Sequence, residues 1–172
     1  PETLPVAKRR RFSVTVLRAG LAEVLRNRMA MRYVLVLMLG FGILFTVLTS
    51  IQLVYDQTFG RAAGFPLWFG ATAVIASLGT VLNAMLVMRL GMRLLATTAF
   101  AAMCVLSALY GAVLWLDVIP QALAFPTFFV WSTAIFLLNG MVTGNLNALA
   151  LQPLGHLAGM AASMIAAFST VG

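Results

Sequence analysis

Long intervals without any charged residue constrain this chain of 172 residues more than any other feature. No Asp, Glu, Lys or Arg occurs in residues 33–55, 62–88, 94–116 or 118–172. An α-helix of about 20 apolar residues crosses roughly 30 Å of hydrocarbon. Only 9% of the residues are charged, against about 25% in soluble domains, which leaves too little polar surface to face water. The chain is therefore predicted to lie in a lipid bilayer.

Prolines and hydropathy patterning indicate how these intervals fold. Backbone groups in lipid must be hydrogen-bonded within the membrane, and no alternation of apolar and polar residues suggests a β-barrel, so helices are expected. Gln152–Pro153 divides the last interval, because proline lacks an N–H and restricts the residue before it. Pro120 and Pro126 mark the start of the same interval. We predict an all-α membrane protein, in which a basic segment 1–32 precedes a transmembrane helix bundle with helices over about 33–55, 66–88, 94–116, 126–150 and 155–172.

The basic residues predict the orientation. Eight Lys and Arg residues precede the first helix, and Arg89 and Arg93 follow the second, whereas the opposite side has only Arg61. Because cytoplasmic loops are rich in Lys and Arg, the residue 1 end is predicted to be cytoplasmic. No aromatic residues are interleaved with these basic residues on a polar face, so nucleic-acid binding is not expected. Residues 13–28, with Ser13 as N-cap, are predicted to form a short helix on lipid headgroups or, alternatively, against a partner.

The fourth predicted helix carries a polar stripe on one face. Its members recur at offsets of 4, 7, 11 and 15 residues, and they are Ser132, Phe136, Asn139, Thr143 and Asn147, with Trp131 beside them. An amide in hydrocarbon is unfavourable unless it is bonded, so this face should meet protein or a water-filled cavity. The stripe is interpreted as a wall of a substrate pathway, or alternatively as a set of interhelical hydrogen bonds.

The first predicted helix offers a second candidate face, consisting of Met38, Phe41, Phe45, Thr49 and Gln52. Aromatic and methionine side chains with a few hydrogen-bonding groups suit an adaptable apolar pocket. Ordinary helix packing is the alternative interpretation.

Four short segments carry motifs of one known family. They are Pro1–Pro5, Asn83–Arg93 with its Arg-x-Gly-x-Arg core, Asn145–Ala150, and Pro153–Ser163, which is close to a Pro-x-Gly-His-x-Ala-Gly-x-Ala-Ser pattern. In this order and spacing they resemble the carboxyl-terminal half of major facilitator superfamily transporters, in particular the Bcr/CflA drug/proton antiporter branch. The resemblance implies that the five helices are the seventh to eleventh of twelve, so that the chain is truncated at both ends relative to a full transporter.

The resemblance also implies roles for two junctions. The cytoplasmic loop motif comprises Asn83, Arg89, Gly91 and Arg93, whose arginines would bias one transporter conformation or anchor the loop among headgroups. The later helix junction comprises Pro153, Gly155, His156 and Gly159, where the histidine would bond the helix start or relay a proton. Gln152 stands where the family usually has an acidic residue, so a charge-pair gate is not expected there.

The expected function is secondary active transport by alternating access, in the form of proton-coupled multidrug efflux across a bacterial inner membrane. Its partners would be the lipid bilayer, small amphipathic or aromatic substrates, protons and a missing amino-terminal half that carries the coupling acids. A metabolite carrier and a non-transporting scaffold are the alternatives. Cys104 is the single cysteine and His156 the single histidine, and no enzyme motif occurs, so no catalytic residue, metal or cofactor is predicted.

Overall fold

The computed structural model describes residues 14–153 together with 159, 162, 163, 166 and 167. Its five main helices are α1 (Val14–Arg26), α2 (Arg28–Leu53), α3 (Phe65–Leu90), α4 (Met92–Trp115) and α5 (Gln121–Leu151). A π-helical turn, Val54–Thr58, and a 3-10 turn, Ala62–Gly64, connect α2 to α3. The described residues form no strand, and α2 to α5 are each long and apolar enough to cross a membrane. The prediction of an all-helical chain with membrane-length helices is therefore confirmed for this part of the sequence.

The second half of the basic segment is helical. The α1 helix ends one residue before Asn27, whose side-chain Oδ1 accepts hydrogen bonds of 3.1 Å from the backbone N–H groups of Met29 and Ala30. This N-cap starts α2 at Arg28, five residues before the charge-free interval begins. Basic residues are tolerated in the first turns because their long side chains can reach the headgroup region. Ser13, the predicted cap of the surface helix, lies outside the described residues.

The helix α5 begins at Gln121, so Pro126 is its sixth residue and does not mark its start near 126 as predicted. A proline at this position removes the hydrogen bond to the carbonyl of Ala122, which is an exposed residue in the first turn. The loss therefore falls at the end of the helix, where water or headgroups can replace the missing donor. The fifth predicted helix, 155–172, lies largely outside the described residues.

Helix α5 is the centre of the bundle. It packs against α2, α3 and α4, and it contributes more buried residues than any other described helix. The main apolar cluster joins α2 and α4 to α5 and consists of Val34, Leu37, Leu95, Ala96, Ala99, Met141, Val142, Leu146 and Ala150. Leu86 and Val87 of α3 are partly buried and pack against it. A second cluster at one end is aromatic and contains Tyr55, Phe125 and Phe128, with Phe59, Phe65 and Trp68 packed against it. We call this end the aromatic end.

At the aromatic end, the ring of Tyr55 is fully buried among phenylalanines. It lies edge-on to Phe65, Phe125 and Phe128, with ring centroids 5.2, 5.4 and 5.9 Å apart. The guanidinium of Arg61 lies 4.2 Å from the centroid of the Phe125 ring, within cation–π distance. The rings thus fasten the α2–α3 connection onto the start of α5. The opposite end of the bundle, where α2 and α4 begin and α3 and α5 finish, carries Arg28, Arg32, Arg89 and Arg93, and we call it the basic end.

The helices α3 and α5 run parallel and approach closely. The hydroxyl oxygens of Thr72 and Thr133 are 3.1 Å apart, and both residues are buried. Further along both helices, a Cβ added to Gly79 would lie 2.1 Å from the carbonyl oxygen of Leu137. Only a residue without a side chain therefore allows the observed approach. Glycine at this position sets the distance between the two helices.

Candidate functional site

A groove runs along one side of α5. The helices α2 and α4 both pack on α5 but scarcely contact each other, so α5 forms the floor of the groove between them. Near the middle of the helices the groove widens into a cavity of about 300 Å³, which we call the central cavity. The lining residues are Gly40, Ile43, Leu44 and Val47 from α2, Phe100, Met103, Cys104 and Ser107 from α4, and Trp131, Ser132, Ile135, Phe136 and Asn139 from α5.

The walls of the central cavity are apolar, with a few hydrogen-bonding groups. The indole N–H of Trp131 is buried and has no partner among the described residues. The Ser132 hydroxyl donates to the carbonyl oxygen of Phe129 at 3.1 Å, whereas the Asn139 side-chain amide has no partner within the described part of the chain. An unpaired donor in a low-polarity environment is costly, so a ligand carrying an acceptor would be favoured beside Trp131 or Asn139.

Stacking holds the indole of Trp131 in place. Its ring lies parallel to that of Tyr110 on α4, with centroids 4.6 Å apart and an angle of 13° between the planes. The same indole also lines a second groove of about 460 Å³ on the far side of the contact between α4 and α5. The Trp131–Tyr110 pair therefore forms the wall between the central cavity and this second groove.

The structure brings four predicted pathway residues of α5 into one cavity. They are Trp131, Ser132, Phe136 and Asn139. Thr143 and Phe41 lie one step closer to the basic end, where they line a narrow crevice that shares Gly40, Phe100 and Asn139 with the central cavity. The Thr143 hydroxyl donates to the carbonyl oxygen of Asn139 at 3.0 Å.

The other predicted residues of α2 lie elsewhere. Phe45, Thr49 and Gln52 are exposed and are not among the residues that line the central cavity. The Thr49 hydroxyl donates to the carbonyl oxygen of Phe45 at 2.9 Å. These three side chains point to the outside of the described bundle.

The apolar half of the cavity lining carries no signal in the sequence. The α2 residues Gly40, Ile43, Leu44 and Val47 and the α4 residues Phe100 and Met103 are chemically the same as residues that face lipid, so no local signal distinguishes them. Ser107, which is a polar residue in the middle of α4, was the one available indication on that helix.

The loop motif residues form a tight connection between α3 and α4 at the basic end. Gly91 has a φ of +79°, donates its N–H to Val87 and accepts from the N–H of Leu95. A positive φ of this kind is readily adopted by glycine and disfavoured for other residues. Arg89 and Arg93, which flank it, are both exposed.

Asn83 of the loop motif is instead part of the contact between α3 and α5. Its Oδ1 accepts a hydrogen bond from the Nδ2 of Asn145, which is only 2% exposed and also donates to the carbonyl oxygen of Met141 at 2.8 Å. An amide pair of this kind satisfies two polar side chains within hydrocarbon.

We expect the Asn83–Asn145 pair to be energetically coupled. Asn145→Leu should lower the free energy of unfolding by about 1–3 kcal/mol, because it leaves the Asn83 amide partly buried without its partner. In a double-mutant cycle with Asn83→Leu, the coupling energy should be about 1 kcal/mol, measured by denaturant unfolding of the detergent-solubilised protein. Strictly additive effects of the two substitutions would contradict the pairing.

The later helix junction is only partly described. Pro153 is exposed in a short 3-10 turn after α5, and Gly159 is helical and exposed. Gly155 and His156 lie outside the described residues, so the predicted roles of this junction remain predictions. Within the described ranges, no group of three or more His, Cys, Asp and Glu residues is arranged to hold a metal ion.

Comparison of the chain with protein-family models, with curated proteins and with solved structures gives no significant match.

Proposed function

We propose that this chain is the carboxyl-terminal half of a proton-coupled secondary transporter that exports small amphipathic or aromatic compounds. Its helices would be the seventh to eleventh of a twelve-helix major facilitator protein, in keeping with the four motifs that resemble the Bcr/CflA branch. The protein would work in the inner membrane of a bacterium, with the basic end facing the cytoplasm.

One observation carries this proposal. The central cavity lies midway along membrane-length helices and combines apolar walls with an indole N–H and an amide that have no partner among the described residues. Its volume of about 300 Å³ is at the lower limit for small-molecule sites, which are mostly apolar with a few placed polar groups. Trp131 and Phe136 would stack on an aromatic substrate, while Asn139 would orient its polar group.

The groove also suits alternating access. It is closed on one side by α5 and open on the other, as expected if a second bundle supplies the missing wall. The exposed amide of Gln52 and the exposed ring of Phe45 would face that second bundle and not the acyl chains, because an unpaired amide is unfavourable in hydrocarbon.

Proton coupling would depend on the other half. Asp56 and Asp117 lie in the connections beyond the ends of α2 and α4, and Glu23 is on α1. An ionisable group that exchanges a proton during transport must be within the membrane. The coupling acids would therefore lie on the six helices of the amino-terminal half.

A metabolite carrier is the second candidate in the transporter class. Sugars and organic acids carry many polar or charged groups, and a site for them would need matching charged or amide side chains. The central cavity has one amide and, among its described lining residues, no charged side chain, which favours apolar substrates. In a non-transporting scaffold, the Trp131 and Asn139 donors, which have no partner in the described part of the chain, would be an uncompensated cost.

Dye efflux driven by a pH gradient tests the proposal. In the full-length protein, Asn139→Leu should lower the transport rate by about tenfold for a substrate with a hydrogen-bond acceptor, because one hydrogen bond in the cavity is lost. Gln121→Leu removes an exposed amide from the first turn of the same helix and should leave the rate unchanged. Unaltered efflux by the Asn139 variant would count against this wall of the pathway.

A further inference from the structure

A third cavity lies in the same groove at the basic end. It has a volume of about 340 Å³, and α2, α4 and α5 all contribute to it. The central cavity is lined by uncharged residues, whereas the lining of this one includes Arg32 on α2 and Arg93 on α4. We call it the basic cavity. It is separated from the central cavity by Phe100, which lines both.

The two arginines of the basic cavity lack an anionic partner. Neither forms an ion pair or hydrogen bond with another residue in the described part of the chain, and no carboxylate lines the cavity there. The described acids Asp56 and Asp117 are at the opposite end of the bundle, and Glu23, on α1 at the basic end, does not line the cavity. Two arginines on the two helices that border one cavity, neither of them paired among the described residues, can bind an oxyanion together, since each guanidinium presents a planar set of donors.

The start of α4 adds donors at the same level. Its N-cap residue, Gly91, has no side chain to accept from the first backbone N–H groups, and the first turn contains no acid. In contrast, Asn27 caps the start of α2 with its own side chain. The uncapped N–H groups and the helix dipole of α4 favour an anion near Arg93.

The floor of the basic cavity is apolar and leads into the membrane. From Arg93 to Phe100 is seven residues, or about 10 Å along the helix axis. Phe100, Val36 and Leu146 line the deeper part, whereas Arg32, Arg93 and the phenol of Tyr33 line the mouth. This order of charge and then apolar surface matches a lipid, whose phosphate lies at the headgroup level and whose chain extends toward the bilayer centre. A free phosphate ion would gain nothing from contact with the apolar floor, because it has no apolar part.

We infer that the basic cavity binds one anionic phospholipid from the leaflet at the basic end. The phosphate lies between the guanidiniums of Arg32 and Arg93, and an acyl chain lies along the groove toward Phe100. Charge complementarity selects an anionic headgroup over a zwitterionic one. The site is distinct from the central cavity and does not depend on transport.

Native mass spectrometry of the full-length protein in detergent tests this inference, with phosphatidylglycerol and phosphatidylcholine as probes. Wild-type protein should retain one phosphatidylglycerol with saturable affinity and bind phosphatidylcholine much more weakly. Each arginine near anionic lipid contributes about 1 kcal/mol, which is about fivefold in affinity. The double variant Arg32→Gln/Arg93→Gln should therefore bind phosphatidylglycerol about 25-fold more weakly.

A matched double variant distinguishes lipid binding in the basic cavity from general attraction of anionic lipid to the positive charge at this end of the bundle. Arg28→Gln/Arg89→Gln removes the same charge from the same end of the bundle, but neither residue lines the basic cavity. Unchanged phosphatidylglycerol affinity in this variant supports the site, and an equal loss in both double variants overturns it. Three other results would also overturn the proposed lipid site. The wild type would bind the two lipids equally, or millimolar inorganic phosphate would displace phosphatidylglycerol. In the third, binding would not saturate because another segment fills the cavity.

Discussion

Gly79→Leu is expected to prevent stable assembly of the bundle. A Cβ at this position would lie 2.1 Å from the carbonyl oxygen of Leu137, and that oxygen belongs to the backbone of α5, so no side-chain rotation relieves the overlap. The helices α3 and α5 would have to separate along their whole contact, which includes the buried Thr72–Thr133 pair and the partly buried Asn83–Asn145 pair. Overpacking of a core usually costs about 1–3 kcal/mol, and this case should reach about 3 kcal/mol or more.

The measurement is the thermal unfolding midpoint of the detergent-solubilised protein, together with its yield in the membrane. Gly70→Leu is the matched control on the same helix, because Gly70 is exposed and a Cβ there meets nothing within 4 Å. Its free energy of unfolding should change by less than about 1 kcal/mol, in the stabilising direction, because leucine has the higher helix propensity. If Gly79→Leu unfolded at the same temperature as the control, the close approach of α3 and α5 would be wrong.

Gly40→Phe is expected to abolish the proposed transport while leaving the bundle folded. Gly40 lines the central cavity, and a Cβ there meets nothing within 4 Å, so a benzyl group can enter the cavity without displacing the backbone. It would occupy a large part of the volume of about 300 Å³ that the proposed substrate needs. Efflux of the substrate should fall by more than about tenfold, equivalent to about 1.4 kcal/mol of lost binding free energy.

The control for this substitution is Gly111→Phe. Gly111 on α4 is exposed, and a Cβ added to it likewise meets nothing within 4 Å, but it does not line the central cavity. Both variants should unfold near the wild-type temperature, and only Gly40→Phe should lose efflux. Normal efflux by a folded Gly40→Phe protein would remove the central cavity from the transport pathway, whereas the lipid-binding result at Arg32 and Arg93 would be unaffected.

The helical fold could be predicted because a chain in a lipid bilayer must satisfy its backbone hydrogen bonds internally. A bilayer leaves helices as the only open-chain structure for apolar intervals of this length, and each of the four charge-free intervals overlaps one of the helices α2 to α5. The helix ends were harder to predict. A charge-free interval indicates the part of the chain within the hydrocarbon region, whereas the helix itself can extend beyond that region. Arg28 and Arg32 are helical because helices continue into the headgroup region, where charge is tolerated.

The candidate site was predictable on α5 and not on its neighbours. Asn139 and Ser132 are polar residues within an apolar helix, and that contrast indicates which face turns inward. On α2, the polar residues Thr49 and Gln52 lie on the exposed side, and the cavity is lined by Gly40 and aliphatic residues. In a membrane protein the inward and lipid-facing surfaces are equally apolar, so periodicity alone cannot orient such a helix.

The two helices that border the groove, α2 and α4, are each held by their own contacts with α5. Because α2 and α4 each rest on α5 and hardly on one another, a small tilt of either helix widens or narrows the space between them without breaking a shared interface. The parallel pair of α3 and α5, fastened through Gly79 and two polar contacts, would stay rigid during such a tilt. A groove with one rigid side and two helices that tilt separately can bind ligands of different widths with little rearrangement of the bundle.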